Sequence, residues 1–393
     1  MSSRFPCCLA IALAVAILFA VPARTETAAG QNDDEKNARK VEFGGQVQIQ
    51  YASVEETDSG STDRIFFRRL RPHFSGSVTE KWQGKIAFDL GKAVDGDEVA
   101  VKDAYMRYTA RDNLQLTIGN SKTPFSREFL ASSKRQQSME RGFVGDHNFG
   151  SPDRQLGFKL EGHDDKKKVA WAVALGGQHH DPDARKIDFD TPASRKSDWN
   201  EGLVVAVRVD FHPRGFVGFG QGDFHTSGYK YNFSLAAYGW SNDGDNNSYT
   251  DPVTGTGVSS GKADLDRADG LEVSAGVRGH GLSVDAEYQV ISADTVDPAF
   301  TGGVYLDGST GLDKMQVEGG YMLRGNRVEI VGAWESLDAD NYEASWNAAE
   351  IGVNYFWDRH EVKVQLNYRM AENVFGVRGD DADTLLLQWQ LLF

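Results

Sequence analysis

Cysteine and long apolar runs are both scarce in this 393-residue sequence. The two cysteines, Cys7 and Cys8, lie near the start, so the rest of the chain has no residues with which to form a disulfide. Beyond residue 23, no apolar run approaches the roughly 20 residues that a membrane-spanning helix needs, which excludes a helical membrane protein. Proline is also rare, at 10 residues, against 42 glycines and 11% aromatic residues. Glycine and aromatic residues mark turns and strands more than helices, so the composition favours β-structure.

The first 23 residues have the pattern of a signal peptide. Arg4 supplies the positive charge, residues 9–21 are apolar, and residues 21–23 form a small-residue cleavage site. We expect residues 24–40, which have no apolar face, to be a flexible periplasmic lead-in. Residues 41–393 would then form the folded domain. An exported chain without cysteine cannot be trapped by disulfide bonds as it crosses the periplasm.

The last ten residues, TLLLQWQLLF, alternate between apolar and polar positions. Leu385, Leu387, Trp389, Leu391 and Phe393 share one face, a period of two that predicts a β-strand. An apolar face at the end of a chain needs either lipid or another sheet to cover it. This strand alone therefore leaves both a soluble β-sandwich and a membrane barrel open.

Similar alternating segments recur along the chain and predict sixteen strands. They are residues 41–53, 64–78, 80–91, 98–111, 113–121, 153–163, 167–178, 200–212, 228–241, 269–280, 282–293, 311–324, 326–337, 343–357, 359–371 and 382–393. Each is roughly long enough to cross a bilayer at a tilt. The apolar face of 343–357 ends in Tyr355 and Trp357, as expected of an aromatic girdle at the membrane interface.

The connections between these strands alternate between long and short, which a soluble sandwich has no reason to maintain. Outer-membrane barrels have this parity, with long loops at one end and short turns at the other. The sequence therefore predicts an all-β, 16-stranded antiparallel transmembrane β-barrel with long extracellular loops and short periplasmic turns, in the bacterial outer membrane. The exception is the connection at residues 213–227, which we interpret as an enlarged turn because a further strand would make the count odd.

Positive charge is concentrated in one part of an acidic chain. The whole sequence has 42 Lys and Arg against 57 Asp and Glu, whereas residues 64–141 have 15 against 9. Alternation sends Arg69, Arg71 and His73 of the second strand into the lumen, with Phe66 facing outward. Arg68 would then face lipid, so either a bulge turns it inward or it lies in a subunit interface. On the next strands, alternation directs Lys85, Asp89, Asp103 and Arg107 inward.

The third long connection is basic, with a net charge of +3 over residues 122–141. It contains Lys122, Arg127, Lys134, Arg135 and Arg141, and Pro124 fixes the direction of its entry. A loop of this length is usually functional or disordered. We expect it to fold into the lumen and narrow it; the alternative is an exposed loop whose arginines contact lipopolysaccharide phosphates.

Four motifs resemble the phosphate-selective porin O and P family. They are GNSKTPF at 119–125, MER at 139–141, the Arg-Arg-x-Arg run at 68–71, and RQLG at 154–157. The resemblance implies a sixteen-stranded trimeric porin in which an inward third loop forms the constriction. It also implies contact with anions for Arg68, Arg69, Lys85, Lys122, Arg135 and Arg141, to which the inward alternation adds Arg71. Asp89, Asp103 and Glu128 near the path argue more against strict phosphate selectivity than against anion preference.

The sequence thus predicts passive diffusion of phosphate, polyphosphate or similar anions through a homotrimer surrounded by outer-membrane lipid and lipopolysaccharide. A ring of cations is how a pore selects anions. A weakly selective general-diffusion porin and an organic-acid porin remain as alternatives. His147 near Ser151, and His179-His180-Asp181, lack a catalytic or metal-ligand spacing, so we expect neither an enzyme nor a bound metal or cofactor. Nor do we expect nucleic acid as a partner, since no binding motif accompanies the basic region.

Overall fold

A computed structural model describes residues 40–57, 60–91, 99–181, 185–191, 202–242, 249–250, 257–258 and 264–393. The predicted signal peptide and nearly all of the predicted lead-in lie outside these residues. Sixteen antiparallel strands form one closed sheet, as the sequence predicts. Their bounds are β1 Lys40–Glu56, β2 Gly60–Ser77, β3 Trp82–Asp89, β4 Ala100–Arg111, β5 Leu114–Lys122, β6 Arg154–His163, β7 Val169–Asp181, β8 Gly202–Phe211, β9 Lys230–Ser241, β10 Leu265–Gly279, β11 Leu282–Thr295, β12 Ser309–Met322, β13 Val328–Ala339, β14 Trp346–Asp358, β15 Val362–Glu372 and β16 Ala382–Leu392.

The last strand closes the barrel against the first. β1 and β16 pair antiparallel from Gln46 opposite Leu392 to Glu56 opposite Ala382. On β16, Leu385, Trp389 and Leu391 are exposed on the outer face, while the side chains of Gln388 and Gln390 are buried inside. The apolar face of this strand therefore belongs to the outer surface of the barrel.

The other strands follow the same alternation. On β8, Leu203, Val205, Val207 and Val209 are exposed, whereas Arg208 between them is buried. Because side chains alternate across a sheet, the barrel has an apolar outside and a polar inside. No helix among the described residues is long and apolar enough to cross a bilayer.

Long and short connections lie at opposite ends of the barrel, which we call the long-loop end and the short-turn end. The first long connection is shorter than predicted, because β1 and β2 continue as strands to Glu56 and from Gly60. Short strands and helices occur only in connections among the described residues. They are the strands Asp188–Asp190, Tyr249–Thr250 and Gly257–Val258, the helix α1 Arg127–Leu130, and the 3-10 turns Phe143–Gly145 and Val374–Gly376.

Candidate functional site: a basic cavity beside the third loop

The third loop, residues 123–153, folds into the lumen and lies against the wall formed by β10 to β14. Its neck is closed by a hydrogen bond of 3.0 Å from the amide of Thr123 to the carbonyl of Asp153. Four carboxylates of the wall accept hydrogen bonds of 2.6–2.8 Å from it: Asp285 from Arg127, Glu287 from the amide of Glu128, Glu329 from Gln137, and Glu335 from the amide of Phe143. The loop thus engages much of the acidic charge of that wall.

Two lysines of the same side are also used to hold the loop. Lys314 on β12 donates to the carbonyls of Phe143 and Phe149 at 3.2 and 2.7 Å. Lys363 on β15 donates to the carbonyl of Gln136 at 2.8 Å. Both side chains are buried, so they neutralise this wall rather than face an open path.

An apolar cluster fills the lumen above the third loop, toward the long-loop end. Ile187 and Phe189, from the fourth long connection, are fully buried beside Phe143 and Phe149 of the third loop. The backbones also join, since the amide of Phe189 donates to the carbonyl of His147 at 3.1 Å. The side of the lumen next to β8 to β13 is therefore packed.

Residues 213–227, which we call the inward turn, enter the lumen from the short-turn end. The side-chain amide of Gln221 donates to Glu128 at 2.6 Å, and its backbone amide donates to the carbonyl of Arg135 at 2.9 Å. Arg278 on β10 donates to the carbonyl of Gly220 at 3.0 Å. The sequence correctly assigns this segment to a turn, and the structure shows that it supports the third loop from below.

The space that remains is a cavity of about 570 Å³ between the third loop and the wall formed by β2 to β6. Eleven lysines and arginines line it, against six aspartates and glutamates. We call it the basic cavity. The basic residues are Arg68, Arg69, Arg71, Lys85, Lys102, Arg107, Lys122, Lys134, Arg141, Arg154 and Lys159.

Four of the six carboxylates of the basic cavity are held by its own cations: Glu140, which pairs with Arg68, and Asp89, Asp103 and Asp153. Asp89 pairs with Arg71 at 2.7 Å, and Asp153 pairs with Arg154 at 3.0 Å. Asp103 lies between Lys85 at 2.7 Å and Arg154 at 2.9 Å. The acidic residues that the sequence places near the path therefore orient the basic side chains, and the excess charge stays positive.

A bulge in β2 explains the position of Arg68. Gln48 on β1 pairs with Arg69, and the next residue, Ile49, pairs with Phe67, so Arg68 is the extra residue. Its guanidinium points inward and donates two hydrogen bonds to Glu140 of the third loop. The bulge alternative is correct, and the outward position predicted for Phe66 is wrong, because Phe66 packs against buried Met139.

Arg69 and Arg141 have few partners for their charge. Arg69 is buried and donates to Gln48 at 2.8 Å, while Arg141 donates to the carbonyl of Ala131 at 3.0 Å. Among the described residues, neither guanidinium has a carboxylate within ion-pair distance, and the Nε of each has no hydrogen-bond partner. Both residues line the basic cavity.

Lys122 and Arg135 are placed differently from the others. The ammonium of Lys122 lines the cavity but donates to the carbonyls of Phe129, Leu130 and Ala131, so it fixes the end of α1. Arg135 does not line the basic cavity. Its side chain is exposed, and its carbonyl accepts the amide of Gln221.

Lys102 lines the basic cavity, although strict alternation of side chains along β4 does not predict this position. Ala87 on β3 pairs with Asp103, and the next residue, Phe88, pairs with Val101, so Lys102 is the extra residue of a second bulge. Like Arg68, it is turned into the basic cavity. A basic residue at a position that strict alternation assigns to lipid is the signal that could have identified both bulges.

The histidines and serine of the loops have structural partners. His147 bonds Asp188 through Nδ1 at 2.7 Å, whereas the hydroxyl of Ser151 donates to the carbonyl of Val144 at 2.6 Å. The two side chains thus have different partners and form no catalytic relay. His180 is buried against Phe189 and Trp240, with ring centroids 5.9 and 6.0 Å away.

Comparison with known proteins identifies the family. Residues 41–393, which include nearly every described residue, match the family described as phosphate-selective porin O and P. The chain belongs to this porin family. It is accordingly a transmembrane porin of the bacterial outer membrane, as the sequence predicts.

One protein is similar to this porin in sequence, and two solved structures are similar to it in fold. An uncharacterized protein of Aquifex aeolicus is 26% identical over 207 residues, 45% of this chain; the match spans only about half of that relative's length, 47%. The trimer form of OmpT from Vibrio cholerae superposes with a TM-score of 0.58 at 14% identity, covering 91% of this chain and all of that one. An anion-selective porin from Comamonas acidovorans gives 0.58 at 10% identity, covering 90% and 100%.

Proposed function

We propose that this porin conducts small anions along the basic cavity, with phosphate or polyphosphate as its solute. The observation that carries the proposal is the uneven filling of the lumen. The third loop and the apolar cluster occupy the side next to the acidic wall. The open space is lined by eleven lysines and arginines, nine of them on the wall formed by β2 to β6. An ion that follows this space passes along the positive wall.

The strength of the cation sites suits conduction. Two charges 4 Å apart interact by about 1 kcal/mol in water and about 4 kcal/mol at an effective dielectric of 20. Several such sites in series attract an anion without trapping it. The guanidinium groups of Arg69 and Arg141 supply paired N–H donors, which match phosphate oxygens two at a time.

We propose further that the porin assembles as a homotrimer in lipid and lipopolysaccharide. The outer face carries exposed apolar side chains over its whole circumference, including Val205 on β8, Trp334 on β13 and Leu391 on β16. Such a face needs lipid or a neighbouring subunit to cover it. The Vibrio cholerae relative is itself described in a trimer form.

We infer a channel rather than an enzyme, acting without a cofactor. The side chains of His147 and Ser151 bond to separate partners, Asp188 and the carbonyl of Val144. Passive diffusion requires only the charge and width of the path.

Reversal potentials in a planar bilayer under a KCl gradient test the proposal. We expect a potential of the sign that marks chloride as the more permeant ion, and we expect added phosphate to reduce the chloride current. Cation preference would overturn the anion proposal. Anion preference without any effect of phosphate would leave a general anion pore and remove phosphate as the preferred solute.

A further inference from the structure

A second cavity, of about 260 Å³, lies between the basic cavity and the short-turn end. It shares Leu130, Lys159 and Phe219 with the basic cavity, so the two spaces are neighbours on one side of the third loop. We call it the inner cavity. A solute leaving the basic cavity on this side meets it next.

Small and apolar residues create the inner cavity. On β7, Ala170 and Ala172 alternate with the exposed Val169 and Val173, which places both alanines on the inner face. The inward turn supplies Phe216, Val217 and Phe219 to the opposite side. The space is therefore bounded largely by hydrocarbon, unlike the basic cavity.

Both cations at the border of the inner cavity are paired with carboxylates. Lys159 and Glu161 form an ion pair of 2.9 Å, and Arg208 and Asp210 form one of 3.1 Å. Phe219 lies over the guanidinium of Arg208, with 5.2 Å from the carbon to the ring centroid. With Asp112, the lining has two cations and three carboxylates, so the inner cavity offers an apolar surface without a positive excess, directly beside a space that has a large one.

We infer that the pore accepts amphipathic organic anions, of the class of small aromatic carboxylates, as well as inorganic ones. The carboxylate would remain in the basic cavity while the ring enters the inner cavity against Leu130 and Phe219. An apolar cavity of about 150 Å³ already accepts benzene, so the inner cavity has room for one phenyl ring. The inference rests on the proposed anion selectivity and names a further class of solute.

Block of the chloride current by benzoate, compared with acetate, tests the inference on the purified full-length porin in planar bilayers. Burying a phenyl group is worth at least about tenfold in affinity, so benzoate should block at a correspondingly lower concentration than acetate. Ala172→Leu fills the inner cavity and should remove most of this advantage while leaving block by phosphate unchanged. Val173→Leu, one residue away on the outer face, should behave as the unaltered porin.

A second substitution keeps the test decisive if Ala172→Leu does not assemble. Phe216→Ala removes an apolar wall of the inner cavity from the side of the inward turn, and it should also reduce the benzoate advantage. Equal block by benzoate and acetate, or an advantage that survives the substitution that assembles, would overturn the inference. The KCl gradient separates the two proposals: a cation-selective pore fails the first, whereas an anion-selective pore without a benzoate advantage fails only the second.

Discussion

The guanidinium of Arg68 and the carboxylate of Glu140 are joined by two hydrogen bonds of 2.6 and 2.5 Å. Since Arg68 is the extra residue of a bulge in β2 and Glu140 belongs to the third loop, the pair fastens the loop to the wall of the barrel. Burial alone would raise the pKa of Glu140, but the charge of Arg68 and its hydrogen bonds outweigh burial and lower the pKa to about 2. The pair therefore stays ionised above that pH.

Substitutions of the two partners of this pair should shift ion selectivity in opposite directions. Glu140→Gln removes a negative charge from the basic cavity and should raise the ratio of chloride to potassium permeability, whereas Arg68→Gln should lower it. A unit charge 4 Å from an ion contributes about 1 kcal/mol in water, so each ratio should change by up to about fivefold. Reversal potentials under a KCl gradient measure both.

The two substitutions break the same link, which makes them controls for one another. If the position of the third loop rather than the charge of the cavity sets selectivity, both variants should shift the reversal potential the same way. That outcome would contradict the electrostatic explanation.

Arg69→Gln should weaken the block of chloride current by phosphate. A hydrogen bond to a charged group is worth about 1.5–3 kcal/mol, so losing one at Arg69 should raise the blocking concentration roughly tenfold or more. Arg135→Gln is the matched control, because Arg135 carries the same charge but does not line the basic cavity. Equal effects of the two substitutions would mean that Arg69 does not face the permeating ion.

The strands could be predicted from the sequence because each is specified locally. A period of two and the parity of the connections identify all sixteen, including the closing strand from Ala382 to Leu392. Alternation also places Arg69, Arg71 and Lys85 correctly on the inner face. These features depend only on neighbours along the chain.

The positions that depend on long-range packing could not be predicted in the same way. The bulges at Arg68 and Lys102 break alternation because each extra side chain turns into the lumen, where Glu140 of the third loop meets Arg68. The inner role of residues 213–227 depends on Gln221 reaching Glu128, 93 positions away in the chain. The sequence predicts that Lys122 contacts the anion, yet its ammonium donates hydrogen bonds to carbonyls at the end of α1.

Asp285→Asn should destabilise the porin strongly. The carboxylate of Asp285 joins Arg127 of the third loop at 2.6 Å to Arg278 of β10 at 2.5 Å, and all three side chains are buried. Breaking a buried pair by removing one partner costs about 3–5 kcal/mol because a buried charge is left uncompensated. Unfolding by denaturant in detergent micelles should show this loss of free energy.

Asp294→Asn is the matched control for that substitution. Asp294 lies on the same strand and pairs with Arg267, but the side chain of Arg267 is largely exposed and that of Asp294 is partly exposed. An exposed pair contributes about 0–1 kcal/mol, so this variant should unfold close to the unaltered porin. Similar losses for the two variants would argue against a special role of the buried pair in holding the third loop.

The contact between His147 and Asp188 should make stability depend on pH. Burial alone would lower the pKa of His147, but the hydrogen bond to Asp188 and the charges of Asp146 and Asp153 outweigh it and raise the pKa from 6.5 to about 9. A histidine with a raised pKa contributes stabilisation that is fully present below the unfolded value and is lost as the pH rises through the folded value. The thermal unfolding midpoint should therefore fall between about pH 6.5 and pH 9 through loss of this contact.

His147→Gln should reduce the fall in midpoint over this pH range, because glutamine cannot gain or lose the proton. His163→Gln, at the last residue of β6 near the short-turn end, should retain the fall seen in the unaltered porin. The contact joins the third loop to the segment 185–191, which carries Ile187 and Phe189 into the apolar cluster. An unchanged pH dependence in His147→Gln would mean that the apolar cluster alone holds these two loops together. A reduced dependence would assign part of that task to the ion pair at the mouth of the basic cavity.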